Sequence, residues 1–187
     1  MRQKLTRLAI IVSALAITIA LAVGGWAAFV QLTGNIHTVE PNKLYRSAQL
    51  DDGDLTHVIE KYKIKSVINL RGENPGDPWY ENELKVTKAQ GAQHFDVGIG
   101  ATSEPEPTVM RKLITLLRTA PRPVLVHCYS GADRSGLAAA LYEFLVNGET
   151  AEKASEQLSF WYGHFPWLGS RTIAMDRAFW RLVREER

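Results

Sequence analysis

The chain has 187 residues, 45% of them hydrophobic and 22% charged, which is the size and balance of one globular domain with an attached segment. A formal net charge of +2, with no Lys/Arg-rich run beyond the extreme N-terminus, excludes an electrostatic case for nucleic acid as partner. The single cysteine excludes an internal disulfide and a thiolate metal cluster.

In chain order, residues 1–7 form a short basic tail with Arg2, Lys4 and Arg7. Residues 8–30 then carry no charge, and only Ser13 and Thr18 interrupt their apolar character before Gly24 and Gly25. At ~1.5 Å per helical residue, such a span crosses a hydrocarbon core of ~30 Å. A buried core helix of this length would show a polar stripe, and none is present. The next cation after Arg7 is Lys43, so the positive-inside rule puts the tail in the cytoplasm and the rest outside. In a bacterium this predicts a single-pass anchor in the inner membrane with the remaining chain in the periplasm. Trp26 and Phe29 fall where interfacial aromatics lie. A cleaved signal sequence is the alternative, because small residues around Ala22, Gly24 and Ala27 suit a peptidase, although the apolar run exceeds a usual signal core. Both readings export the remainder of the chain, and a lone thiol has no internal partner to be lost to in an oxidising compartment.

Residues 31–43 are polar, contain Gly34 and Pro41, and read as a linker to a domain over residues 44–187. Within that domain short β-rich runs alternate with helical periodicity. Strands are predicted at residues 44–46, 64–70, 93–99 and 123–127, the last nearly all apolar, as befits the centre of a doubly covered sheet. Between them come helices: one capped by Asp51 or Asp52 with Leu55, Val58, Ile59 and Tyr62 on one face, one over 78–90, and one carrying Val109, Leu113, Leu116 and Leu117. Further helices fit 135–146, 151–159 and 173–184, and residues 100–107 read as a loop. The fold class expected is α/β, a mainly parallel central sheet flanked by helices, preceded by one N-terminal transmembrane helix.

The strand ending at His127 runs into Cys128, Tyr129, Ser130, Gly131, Ala132 and Asp133, and Arg134 and Ser135 open the next helix. Backbone N–H groups of such a turn, with the first free N–H groups of the helix, converge on one point and make a nest for an anion. Gly131 permits a left-handed backbone there. Arg134 can grip two phosphoryl oxygens with a planar, permanently charged fork. The same positive field favours a thiolate at Cys128, and a thiolate aimed at a bound phosphate is an in-line nucleophile. Ser135 is placed to hydrogen-bond the cysteine sulfur, His127 to shape the loop, and Tyr129 and Ser130 to line its mouth.

This Cys-x5-Arg-Ser pattern, preceded by His127, resembles the signature of the protein tyrosine phosphatase superfamily, in particular its small bacterial dual-specificity-like members. Tyr45 to Gln49 and Val67 to Arg71 also resemble segments of that group, and the likeness covers roughly residues 42–170. It implies hydrolysis of phosphomonoesters through a phosphocysteine intermediate, with no cofactor and no metal. The general acid of that family is usually an Asp on a separate loop some thirty residues before the cysteine. Here that loop, residues 98–104, contains none. Asp96 lies on a predicted strand, and Glu104 and Glu106 are stand-ins with a plainer role as solvated charges. Asp133 is the better candidate, since some lipid and multi-specificity phosphatases, including the myotubularins, resemble this sequence in placing Asp directly before the Arg. The plainer reading of Asp133 is a helix cap or an ion pair.

Arg46 and Arg71 end predicted strands and are expected to widen an electropositive pocket, with ordinary ion pairing as the alternative. Trp161, Tyr162, His164, Phe165 and Trp167 form an aromatic cluster for which core packing is the default over a substrate- or membrane-facing wall. The expected partner is a phosphorylated protein, or else a phospholipid or inositol-type phosphate. A rhodanese-like sulfur-transfer enzyme would not need Arg134 and Ser135 in this register. A non-catalytic phosphate-binding module would not need the thiolate.

Overall fold

The computed structural model of the chain describes residues 2–186. It divides into two units between Thr33 and Gly34. The first is a single helix, α1 (Arg2–Leu32), whose segment Ile10–Val30 has a mean hydropathy of 2.2 over 21 residues. By length and composition that segment is able to cross a membrane. The expected basic tail lies partly outside the described residues, which leave out Met1 and the side chains of Arg2 and Lys4.

The second unit is an α/β domain. Five strands, β1 (His37–Glu40), β2 (Leu44–Ser47), β3 (Ser66–Asn69), β4 (Gln93–Asp96) and β5 (Val124–His127), form one sheet in the order β1-β2-β5-β3-β4. All neighbours run parallel except β1, which pairs antiparallel with β2. The sheet is therefore mixed, and this corrects the reading of residues 31–43 as linker: His37–Glu40 is an edge strand, which its four-residue length hid from pattern reading. Helices α2 (Asp52–Tyr62), α3 (Pro78–Ala89), α4 (Pro107–Thr119), α5 (Asp133–Leu145), α6 (Ala151–Ser155) and α7 (Ala174–Glu185) connect and cover the strands.

Alternation along the central strands builds the two cores. On β5, Leu125 joins Tyr45, Val67 and the apolar stripe of α2, Leu55, Val58 and Ile59. Val124 and Val126 face the other way, with Leu44 and Ile68, into a larger core closed by Leu113 of α4, Leu137 and Leu141 of α5, and Phe179 of α7. A strand buried on both faces has no polar face, so the near-continuous apolar run of β5 is the expected signature of this central place. The register aligns Ser47, His127, Asn69 and Asp96 in a row at the carboxyl ends of β2, β5, β3 and β4. Open parallel sheets bind ligands outside that edge.

Candidate active site

Residues 128–132 connect β5 to α5, and α5 begins at Asp133 rather than at Ser135, so Asp133 and Arg134 stand in its first turn. Behind the loop, donors from three directions occupy its carbonyl oxygens. The Gln49 N–H reaches Tyr129 O at 3.1 Å, and Asn35 Nδ2 reaches Ser130 O at 2.9 Å. Arg46 Nη2 reaches Gly131 O at 2.8 Å and Ala132 O at 2.9 Å. In a trans peptide the C=O of one residue and the N–H of the next point in opposite directions. Holding these carbonyls therefore turns the N–H groups of residues 130–133 to the opposite side, the orientation an anion requires, with the Ala132 N–H reaching Ser130 Oγ at 3.4 Å. Gly131 makes the turn possible: its φ is +71°, and a Cβ would lie 2.6 Å from the Ala48 nitrogen.

Cys128 is free and buried, with 1% of its surface exposed. Arg134 lies at the ends of the neighbouring strands, its Nη1 donating to Ile99 O at 3.3 Å and Leu70 O at 3.4 Å. Its buried Nε has no protein partner. Arg71 stacks on Trp79 at 3.7 Å, lies 5.4 Å from the ring of Tyr129, and donates to Gln49 Oε1 at 3.3 Å. Burial and, next, the charge of Arg134 lower its pKa. Two guanidinium groups thus repel one another beside the loop, and an anion there relieves both. Tyr129 is the exposed member of the loop at 66%, Ser130 is half-buried, and Gly131 and Ala132 are buried.

Two expectations fail here. Arg46 does not widen a pocket: it has no exposed surface, it also donates to Gln157 O at 2.7 Å and Gln157 Oε1 at 3.0 Å, and its guanidinium lies over Tyr162 at 4.2 Å. Burial lowers its pKa to about 10 against the opposing influence of Tyr162, Cys128 and Asp133. It braces the loop from below because β2 alternation turns residue 46 to the same side as Leu44, toward α5. Ser135 is likewise turned elsewhere: the hydrogen bond its hydroxyl makes is to Ser47 O, at 3.4 Å, not to the cysteine sulfur.

The acid candidates occupy three different settings. Asp96 accepts from Asn69 Nδ2 and from the Tyr80 hydroxyl, each at 2.8 Å. Glu104 pairs with Arg181 of α7 at 3.0 Å, and Glu106 precedes α4 as its cap residue without a side-chain cap bond. Asp133 Oδ1 lies 2.6 Å from Nδ1 of His164, whose Nε2 lies 2.9 Å from Asp176 Oδ2. His164 has no exposed surface. Burial alone would lower its pKa, but hydrogen bonds to Asp133 and Asp176, and their charges, raise it to about 9.

A family model for the tyrosine phosphatase family matches residues 23–154, more than half of the chain. The chain belongs to that family. Among curated relatives, the dual specificity protein phosphatase TpbA of Pseudomonas aeruginosa is 27% identical over 135 residues, covering 71% of this chain and 57% of that protein. The inositol diphosphatase DSP1 of Oryza sativa subsp. japonica is 33% identical over 98 residues, covering 50% of this chain and 42% of that protein. The crystal structure of P. aeruginosa TpbA superimposes with a TM-score of 0.60 at 21% identity, over 82% of this chain and 91% of that one. That likeness extends to the fold. The chain thus spans 57% and 42% of the lengths of these two curated relatives.

Several residues that hold this family member's loop escaped the sequence reading. Glu83, 3% exposed on α3, accepts from His127 Nε2 at 3.1 Å, His94 Nε2 at 2.7 Å and Gln49 Nε2 at 2.9 Å. Burial pushes its pKa up, but His127, His94 and Gln49 outweigh that and hold it well below the carboxylate range. The available signal was a charged residue on the buried side of a helix, between Tyr80 and Thr87. Asn35 and Asp176 carried no local signal. His164 sat inside an aromatic cluster that the structure splits: His164 is buried, while Trp161, Phe165 and Trp167 are exposed, so core packing does not hold for those three.

Proposed function

We propose that the chain is a cysteine-dependent phosphatase that hydrolyses phosphomonoesters through a phosphocysteine intermediate. The observation that carries this reading is the loop between Cys128 and Arg134, in which the carbonyl groups of residues 129–132 accept from Gln49, Asn35 and Arg46, so that the opposed N–H groups are turned to meet an anion. An oxyanion cradle of fixed dipoles needs no reorganisation as charge moves from the leaving oxygen onto the equatorial oxygens. Cys128 attacks phosphorus, Arg134 clamps two oxygens, and the N–H groups of Gly131 and Ala132 hold the remainder, with Tyr129, Ser130 and Arg71 meeting the rest of the substrate. Asp133 protonates the leaving oxygen and then takes a proton from the water that cleaves the S–P bond. Ser135, through Ser47, steadies the start of α5.

The preferred substrate class is phosphotyrosine or dual-specificity phosphoprotein, in line with the dual-specificity relative. Inositol-type or phospholipid phosphates are the second reading. Its support is the match to an inositol diphosphatase and the second guanidinium, Arg71, beside Arg134. For place in the cell we infer a bacterial inner membrane, with α1 as single-pass anchor or signal sequence and the catalytic domain in the periplasm. The support is the apolar length of the segment Ile10–Val30 and the cations Arg2, Lys4 and Arg7 that precede that segment. The test is hydrolysis of para-nitrophenyl phosphate, expected to be vanadate-sensitive, chelator-insensitive and lost in Cys128→Ser. Activity that survives Cys128→Ser would refute the assignment. Comparing kcat/KM on a phosphotyrosine peptide and on an inositol pyrophosphate decides between the substrate classes.

A further inference from the structure

His164 presents both ring nitrogens to carboxylates, Nδ1 to Asp133 at 2.6 Å and Nε2 to Asp176 at 2.9 Å, in a place with no solvent access. Neither contact is a hydrogen bond unless a proton lies in it. Three groups therefore hold two protons, in one of two arrangements: an imidazolium between two carboxylates, or a neutral imidazole with one protonated carboxyl. Asp133 is the member beside Arg134, and its side chain is 18% exposed.

We propose that Asp176, His164 and Asp133 form a proton relay that keeps the leaving-group proton available at neutral pH, with His164 a positioning residue that acts through Asp133. The inference rests on the reading of Asp133 as the acid, and it removes that reading's main difficulty. A lone aspartate at a helix N-terminus is ionised at neutral pH and has no proton to give. Here the proton is stored one bond away. As S–P forms and the ester P–O bond breaks, the proton on Nδ1 of His164 passes to Asp133 and from Asp133 to the leaving oxygen, which leaves Asp133 ionised. Nε2 keeps its proton toward Asp176, so the imidazole ends neutral. When water attacks the phosphocysteine, S–P breaks, the water proton passes through Asp133 back to Nδ1, and the starting state returns.

The charged groups that act on His164 are Asp133 from α5 and Asp176 from α7, and the charge of Asp133 also acts on Arg46 of β2. The two carboxylates hold the imidazole protonated up to about pH 9, which is why the store stays filled where an aspartate alone would be empty.

The experiment compares kcat on an alkyl phosphate, whose leaving group requires a proton, with kcat on para-nitrophenyl phosphate, whose leaving group does not. In His164→Asn the alkyl-to-aryl ratio is expected to fall by about 10²-fold, with the alkaline limb of the alkyl profile moving at least about one pH unit lower. Imidazole added to His164→Gly should restore part of the alkyl rate. Asp176→Asn, a change at a partly exposed carboxylate that leaves the core intact, should shift the same limb in the same direction. Equal losses on both substrates with the limb unmoved, or no loss on either, would overturn the relay. Asp133→Asn separates the two claims. If it spares the alkyl-to-aryl ratio, Asp133 is not the acid; if it lowers the ratio while His164→Asn does not, the relay alone fails.

Discussion

At the scale of the residue, the loop owes its shape to side chains bonded to its carbonyl groups. Arg46 is the clearest case. Its guanidinium bonds the carbonyls of Gly131 and Ala132 and both the backbone and side chain of Gln157. Arg46→Met leaves those acceptors buried and unpaired, and removing one partner of a buried charged contact costs about 3 kcal/mol. We expect that loss in urea unfolding, together with a drop in kcat/KM of about tenfold or more as the N–H groups lose their aim. Unchanged stability would show that the carbonyls find other donors. Glu83 and His164 give the fold opposite pH dependences. The pKa of Glu83 is lowered in the folded chain, so its contribution is present above the unfolded carboxylate value of ~4.3 and is lost on acidification below it. His164 is raised to about 9, so its contribution is full below the unfolded imidazole value and fades as pH climbs through about 9. Melting temperatures measured across the pH range should fall at both ends. Glu83→Gln should flatten only the acid side, and His164→Asn only the alkaline side.

At the scale of the element, β1 and the turn before it matter more than their length suggests. Asn35 sits at the entrance to β1 with a φ of +46° and joins Ser130 O to Tyr162 O, each at 2.9 Å. Asn35→Ala should therefore lower activity on para-nitrophenyl phosphate while leaving circular dichroism of the helices unchanged. Gly131 tests the loop itself. Its left-handed backbone and its contact with Ala48 make Gly131→Ala cost about 1–3 kcal/mol of strain. Expected is an activity loss of at least about tenfold accompanied by weaker vanadate inhibition, because the cradle opens. Normal vanadate affinity would show that the loop absorbs the methyl without moving.

At the scale of the molecule, the chain divides between Thr33 and Gly34. Residues 34–187 contain the whole sheet and both cores, so removing residues 1–33 should leave the melting temperature within a few degrees of the full chain. The full chain should resist carbonate extraction from membranes, and the shortened one should be released; equal release of both would argue against α1 as an anchor. By itself, the sequence determined the main strands and helices, though not β1, and marked the loop on which the proposed chemistry rests. A strand buried on both faces and a turn proposed to wrap an anion leave local signatures: the apolar run of β5, Gly131, and Cys128 six residues before Arg134. It could not determine what holds those groups in place. Arg46, Glu83, Asn35 and His164 act across sequence separations of 85, 44, 95 and 31 residues. Only the packed sheet brings them beneath the loop. A polar side chain needs a partner once burial has stripped away its water, and which partner it finds is decided by strand order and register.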